Sequence, residues 1–196
     1  MLSDLVKGWR SAWGKNLPFY YVQIAPWKGN GHNLSEYSQM RAIMSSAYRG
    51  IGNADVVITT DLGDPLNIHP PRKREVGERL ALKALTKTYG LSSYSADYPA
   101  LHKAVVKGDS ITLTLRNLYD GIVVTDKESL FEISGDGQIY YPATFRIEGN
   151  RVILYCKNVK KALFLRYAFR NSMSGNILNS KMLPLDLFEV KLCDLE

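Results

Sequence analysis

From its amino end, the chain repeats apolar residues at helical spacing. Leu2, Leu5, Val6, Trp9 and Trp13 fall on one face, and Pro18 ends the run. PFYYVQIAP, residues 18–26, is aromatic, β-branched and bounded by prolines, which predicts a buried strand, and the Gly- and Asn-rich stretch GNGHN predicts a loop. The helical period returns through Leu34, Tyr37, Met40, Ile43, Met44, Ala47 and Tyr48, with Asn33 or Ser35 as the capping residue. Residues 55–60 are strand-like again. Two strands around one helix predict a right-handed crossover with parallel neighbours. A loop over residues 61–71 then leads to a helix with Val76, Leu80, Ala84 and Leu85 on one side, closed by Gly90.

Beyond SSYSADYPA the period changes to two. SITLTLR, LFEISG, QIYYPATFRIEG, NRVILYC and ALFLRYAF alternate, separated by turn residues, with hairpin signals at Gly135-Asp136-Gly137 and Glu148-Gly149-Asn150. The pattern therefore predicts an α/β portion over residues 1–90 followed by an all-β sandwich over residues 94–196.

Composition supports a folded interior and narrows the partners. Of 196 residues, 45% are hydrophobic and 11% aromatic, enough for a sizeable core. No window is long and apolar enough for a membrane span, and MLSDLVKGWRSAW lacks the features of a secretory leader, so the compartment stays undetermined. The net charge of +6 is scattered along the chain without a basic stripe interleaved with aromatics, which argues against nucleic acid as partner. Cys156 and Cys193 read as packing residues and cannot form a metal framework on their own.

The sharpest chemistry lies in DLGDPLNIHPPRK, residues 61–73. It places Asp61, Asp64 and His69 in one loop directly after a predicted parallel strand, where open α/β sheets bind their ligands. Pro70 and Pro71 restrict the backbone beside His69, and either aspartate is near enough in sequence to orient an imidazole acting as general base. The plainer alternative makes His69 a packed loop residue and Asp64 a turn former with Pro65. Trp27, just past its strand, is the candidate for stacking on a sugar, and His32 in GNGHN could line the same site or simply face solvent. His102 has no neighbour at metal-ligand spacing.

Several separate runs together resemble the latter part of the sialate O-acetylesterase family, within the SGNH hydrolase superfamily. They are WRSAWGKNLPFYYVQIAP, Gln39, DLGDPLNIHPPRKREVGERLALKAL, Tyr89-Gly90, FEISG, Tyr141-Pro142-Ala143, IEGNRV, Arg166 to Phe169, Asn176 with Asn179, and Leu183-Pro184 ahead of Phe188. The resemblance implies a partial SGNH-type parallel α/β domain with an attached β-sandwich. It also implies a serine esterase that removes acetyl groups from sugar hydroxyls without a metal or organic cofactor. His69 matches that family's histidine, and Gln23 resembles a family position that would touch substrate, although a strand glutamine satisfying a neighbour's backbone reads equally well.

Leu66 stands where the superfamily places an orienting aspartate, three residues before the histidine, which leaves Asp64 preferred over Asp61. The family's nucleophile block and oxyanion donors would precede the first helix. The expectation is therefore an incomplete catalyst acting on an acetylated carbohydrate, with a complementing N-terminal esterase chain or a homodimer partner; the alternative is a non-catalytic remnant or carbohydrate-binding module. Gly108-Asp109-Ser110 spells the superfamily's short nucleophile motif, but it lies in a predicted turn of the β half.

Overall fold

The computed structural model describes residues 1–29 and 35–195. Helix α1 (Leu2–Trp13) ends at Gly14, whose left-handed backbone (φ 59°) returns its N–H to the carbonyl of Ser11. Strand β1 (Phe19–Val22), helix α2 (Glu36–Ala47) and strand β2 (Ala54–Val57) form the anticipated crossover, with β1 and β2 parallel and Phe19 opposite Ala54. Helix α3 (Lys73–Lys83) widens into a π-turn over Ala84–Thr88, where the Tyr89 N–H reaches the carbonyl of Ala84 five residues back, and Gly90 follows with φ 68°.

The α3 face was anticipated as Val76, Leu80, Ala84 and Leu85, yet its most buried residues are Arg79 and Lys83. Each cation crosses to a carboxylate of the sheet end. Lys83 Nζ lies 2.8 Å from Asp55, and Arg79 pairs with Asp61. The long stems cover apolar surface while the charged heads are neutralised, which is how such residues enter an interior.

The remainder is antiparallel. Strands β3 (Ala100–Lys107), β4 (Ser110–Arg116), β9 (Arg151–Tyr155) and β8 (Thr144–Glu148) form one sheet in that order. Strands β12 (Phe188–Lys191), β10 (Phe164–Tyr167), β6 (Phe131–Ser134) and β7 (Tyr141–Pro142) form a second, and β11 (Ile177–Asn179) pairs with β5 (Ile122–Val124). Inward residues of both large sheets share one core: Ile111, Leu113 and Leu154 from the first meet Phe131, Leu165 and Tyr167 from the second. At roughly 1.5–3 kcal/mol per fully buried large side chain, this core is the main source of stability. The β8–β9 hairpin turns at Gly149, whose φ of 57° is open to glycine at no steric cost.

The two portions meet along a polar seam. The amide of Gln23 donates to Asp186 at 3.1 Å, Thr60 Oγ1 donates to the same carboxylate at 3.2 Å, and the Gly175 N–H reaches the Thr60 carbonyl at 2.9 Å. Arg41, fully buried in α2, donates to the carbonyls of Asn171 and Arg170. The N-terminus of α2 is capped from across the molecule, because Asn171 Oδ1 accepts from the N–H groups of Tyr37 and Ser38. That long-range cap replaces the anticipated local one. Asn33 lies outside the described residues, and no Ser35 side-chain bond caps the helix. No described helix is long and apolar enough to cross a membrane.

Candidate functional site

Three loops converge at the carboxyl end of the parallel pair: residues 23–29 after β1, residues 58–72 after β2, and residues 170–176 from the β portion. Gly63 seals the first two together. A Cβ on it would lie 2.3 Å from the Pro26 carbonyl oxygen and 2.6 Å from Pro26 Cβ, so only glycine fits there. The Lys28 N–H donates to the Pro65 carbonyl at 3.2 Å, and the Trp27 N–H donates to that of Asn171 at 3.0 Å. The chain thus brings the Trp27 and His69 loops to one end of the sheet, under a loop of the β portion.

Within residues 61–73, two side-chain-to-backbone bonds shape the approach to His69. Asp64 Oδ1 accepts from the Leu66 N–H at 2.9 Å, and Asn67 Oδ1 accepts from the His69 N–H at 2.8 Å. Both bonds close two residues on, the pattern by which Asp and Asn form turns. Pro65, Pro70 and Pro71 contribute no donors and limit the backbone further. The outcome is an exposed His69 whose imidazole makes no hydrogen bond with a described residue.

The carboxylates divide their work differently from the sequence expectation. Asp61 is held bidentately by Arg79 at 2.7 Å on both oxygens, and Arg79 donates again to the Ile58 carbonyl at 2.8 Å. Its carboxylate anchors the start of the loop on α3. Asp64 spends one oxygen on Leu66 and is half-buried beside the loop. Leu66, three residues before His69, is 89% exposed.

The other candidates separate as clearly. Gln23 is buried: its Oε1 accepts from the Thr59 N–H, and its amide nitrogen donates to Ser45, Asp186 and the Arg41 carbonyl. Its polar atoms are engaged across the seam. Trp27 is half-buried and packs edge-tilted on Tyr37 with ring centroids 5.2 Å apart. His32 lies outside the described residues. Ser110 Oγ donates to the Lys107 carbonyl at 3.0 Å within the β3–β4 hairpin, as a turn serine does.

Charged residues inside the fold were the part sequence reasoning missed. Burial raises the Asp186 carboxyl above its ordinary 3.8, while bonds from Ser45, Gln23, the Leu187 N–H and Thr60 oppose the shift. Burial likewise depresses Arg41 to about 10, and the Asp186 charge resists that shift. The one available signal was the i, i+4 spacing of Arg79 and Lys83 amid apolar positions of α3.

A cleft of about 840 Å³ opens beside the loop between α3 and the β portion, bordered by Asp61, Pro65, Arg72, Arg170 and Ser174. His69 is not among its walls. Of the charges that line it, Arg72 pairs with Glu75 at 2.7 Å and Arg79 with Asp61, while Asp126 and Glu128 make no ion pair among the described residues. The exposed His69 imidazole, on a backbone held by the Asn67 turn, is the second candidate at this end, with the cleft on its flank. Among the described residues, no cluster of His, Cys, Asp and Glu could hold a metal ion.

No family model matches the sequence, and no curated protein matches it. Among solved structures, the fold is similar to the crystal structure of a carbohydrate acetylesterase from Xanthomonas citri, with a TM-score of 0.84 and 30% identity. The similarity covers 97% of this chain and 45% of that one, so this chain spans less than half the length of its structural neighbour.

Proposed function

We propose that this chain is the histidine-bearing portion of a carbohydrate esterase that hydrolyses O-acetyl esters on sialic acid or a related sugar. The observation that carries the reading is the 30% identity across 97% of the chain to a carbohydrate acetylesterase. The exposed histidine at the carboxyl end of a parallel pair agrees with it. The reading extends the SGNH and sialate resemblance of the sequence to the activity of the assembled enzyme.

In this proposal, the His69 imidazole takes the proton from a serine hydroxyl as its oxygen attacks the acetyl carbonyl. The same proton then passes to the departing sugar oxygen, and a water activated by His69 releases acetate from the acyl-serine. The serine and the amide donors for the oxyanion come from polypeptide outside this chain. Asp64 is the remaining carboxylate near enough along the loop to turn toward the imidazole; Trp27, on the same end of the sheet, supplies an aromatic face for the sugar.

The test is turnover of p-nitrophenyl acetate and O-acetylated sialic acid by the chain alone, beside His69→Ala and Ser110→Ala. The expectation is no turnover above background, with His69→Ala abolishing activity once the missing portion is supplied. Turnover by the chain alone that disappears in Ser110→Ala would overturn the assignment. A second reading, a carbohydrate-binding module without catalysis, is favoured by the commitment of Asp61 to Arg79 and by Leu66 at the orienting position. Sugar binding unaffected by His69→Ala, with no turnover in any assembly, would select it.

A further inference from the structure

Basic residues that look scattered along the sequence are gathered when the β portion folds. In the sheet β3–β4–β9–β8, Ala104, Ile111, Leu113, Val152 and Leu154 point into the core, so alternation turns their strand neighbours outward. The register sets those outward residues in rows across the four strands. One row runs Lys103, Thr114, Arg151 and Glu148, and the next Val105, Thr112, Ile153 and Arg146. Lys107 and Arg116 stand at opposite ends of the same face. Five cations against one carboxylate leave this face a net charge of +4, most of the +6 that the whole chain carries.

The one carboxylate is engaged by Arg146 at 2.6 Å. Lys103, Lys107, Arg116 and Arg151 are exposed and make no ion pair among the described residues. Strand spacing puts Arg151 roughly 10 Å and Lys107 roughly 13 Å from Lys103. Such separations are comparable with the screening length of about 10 Å at 0.1 M salt, so the cations repel one another and their fields add above the sheet. Between them, the hydroxyls of Thr112 and Thr114 make no hydrogen bond with a described residue. A membrane surface calls for protruding apolar residues, yet Val105 is the only one in these rows, because Ile153 is 6% exposed between Thr112 and Arg146. Single-stranded nucleic acid on a sheet face stacks on two or three aromatic rings. This face has one, Tyr155, and the Arg146 guanidinium lies over its ring at 5.3 Å.

We infer that the outer face of this sheet binds an anionic polysaccharide. Carboxylate or sulfate groups of the glycan pair with the four uncommitted cations, and its hydroxyls meet Thr112 and Thr114, whose side chains both donate and accept. The flat sheet suits an extended chain lying across the strands, and charge complementarity supplies the attraction that a surface without an apolar anchor lacks.

The test is calorimetric titration of the full chain at low salt with polygalacturonate, which carries carboxylates, and with heparin, which adds sulfates; neutral dextran is the control. At least one anionic probe is expected to bind, with the amide resonances of Thr112, Thr114 and Ile153 shifting on titration, and the stronger probe identifies the preferred anionic group. Lys103→Gln/Arg151→Gln, checked for a native circular dichroism spectrum, is expected to weaken binding by a factor on the order of ten or more. Lys7→Gln/Lys15→Gln removes the same charge from exposed positions of α1 and is expected to change binding by less than about twofold. Four results overturn the inference: no binding of either anionic probe, equal weakening by the two pairs of substitutions, dextran binding as tight as that of the anionic probes, or binding to duplex DNA or phosphatidylserine vesicles at least as tight. Acetyl-ester turnover does not enter the readout, so failure here leaves the proposed function standing.

Discussion

Replacing Arg79 with methionine tests how the His69 loop is anchored. The Arg79 and Asp61 side chains are 7% and 10% exposed, and the guanidinium makes two 2.7 Å bonds to the carboxylate and one to the Ile58 carbonyl. Methionine keeps most of the stem's packing and deletes all three bonds, which leaves a carboxylate inside the protein with its charge uncompensated. Breaking a buried pair from one side costs about 3–5 kcal/mol, a large share of the roughly 5–15 kcal/mol that holds a domain together. Urea unfolding followed by circular dichroism should therefore shift its midpoint down by about 1–5 M, given a slope near 1–3 kcal/mol per molar. The double variant Arg79→Met/Asp61→Leu removes the stranded charge and should recover much of the loss. A single variant that loses less than about 1 kcal/mol, or a double variant no better than the single, would show that the pair is not the anchor described here.

Three further outcomes follow from the same geometry. Gly63→Ala pushes a Cβ into the Pro26 backbone and should cost about 1–3 kcal/mol; an unchanged melting temperature would contradict the close approach of the two loops. Asn67→Ala removes the acceptor for the His69 N–H, so exchange at that amide should accelerate while global stability falls by less than about 1.5 kcal/mol; an unaltered exchange rate would refute the turn. Burial raises the Asp186 carboxyl, so its stabilising contribution is complete below its ordinary 3.8 and is lost as the pH climbs through the raised value, with Arg41 charged throughout that window. Stability of the wild type minus that of Asp186→Asn should accordingly decline from pH 3.8 upward, and a pH-independent difference would oppose this assignment.

What could be read from the residues was whatever rests on local period. The α1 and α2 repeats, the β1-α2-β2 crossover, the Gly90 stop and the alternating strands all follow from side chains a few residues apart. Sheet order did not, because β10 lies between β12 and β6 by pairing choices that no local pattern encodes. Nor did the cap of α2, supplied by Asn171 from 134 residues away. The loop bearing His69 was legible through its prolines and position, whereas the fate of its carboxylates was not. Arg79 looks like a surface cation until the fold turns α3 against the sheet end, and Gln23 reads equally as a substrate contact or a structural strand glutamine until Asp186 arrives from the far end of the chain.

The polar seam also decides what cutting the chain would do. Residues 91–94 are exposed and join the two portions, yet Gln23, Arg41, Asn171 and Asp186 grip across the boundary at many points. A nick there would sever covalent continuity and leave the halves clasped. Either half taken alone would carry into water hydrogen-bonding groups shaped for the other, together with the dry surface around them. The β half is consequently a poor cassette for transplanting by itself: its loops are the missing walls of its neighbour, and the pair should melt as one body.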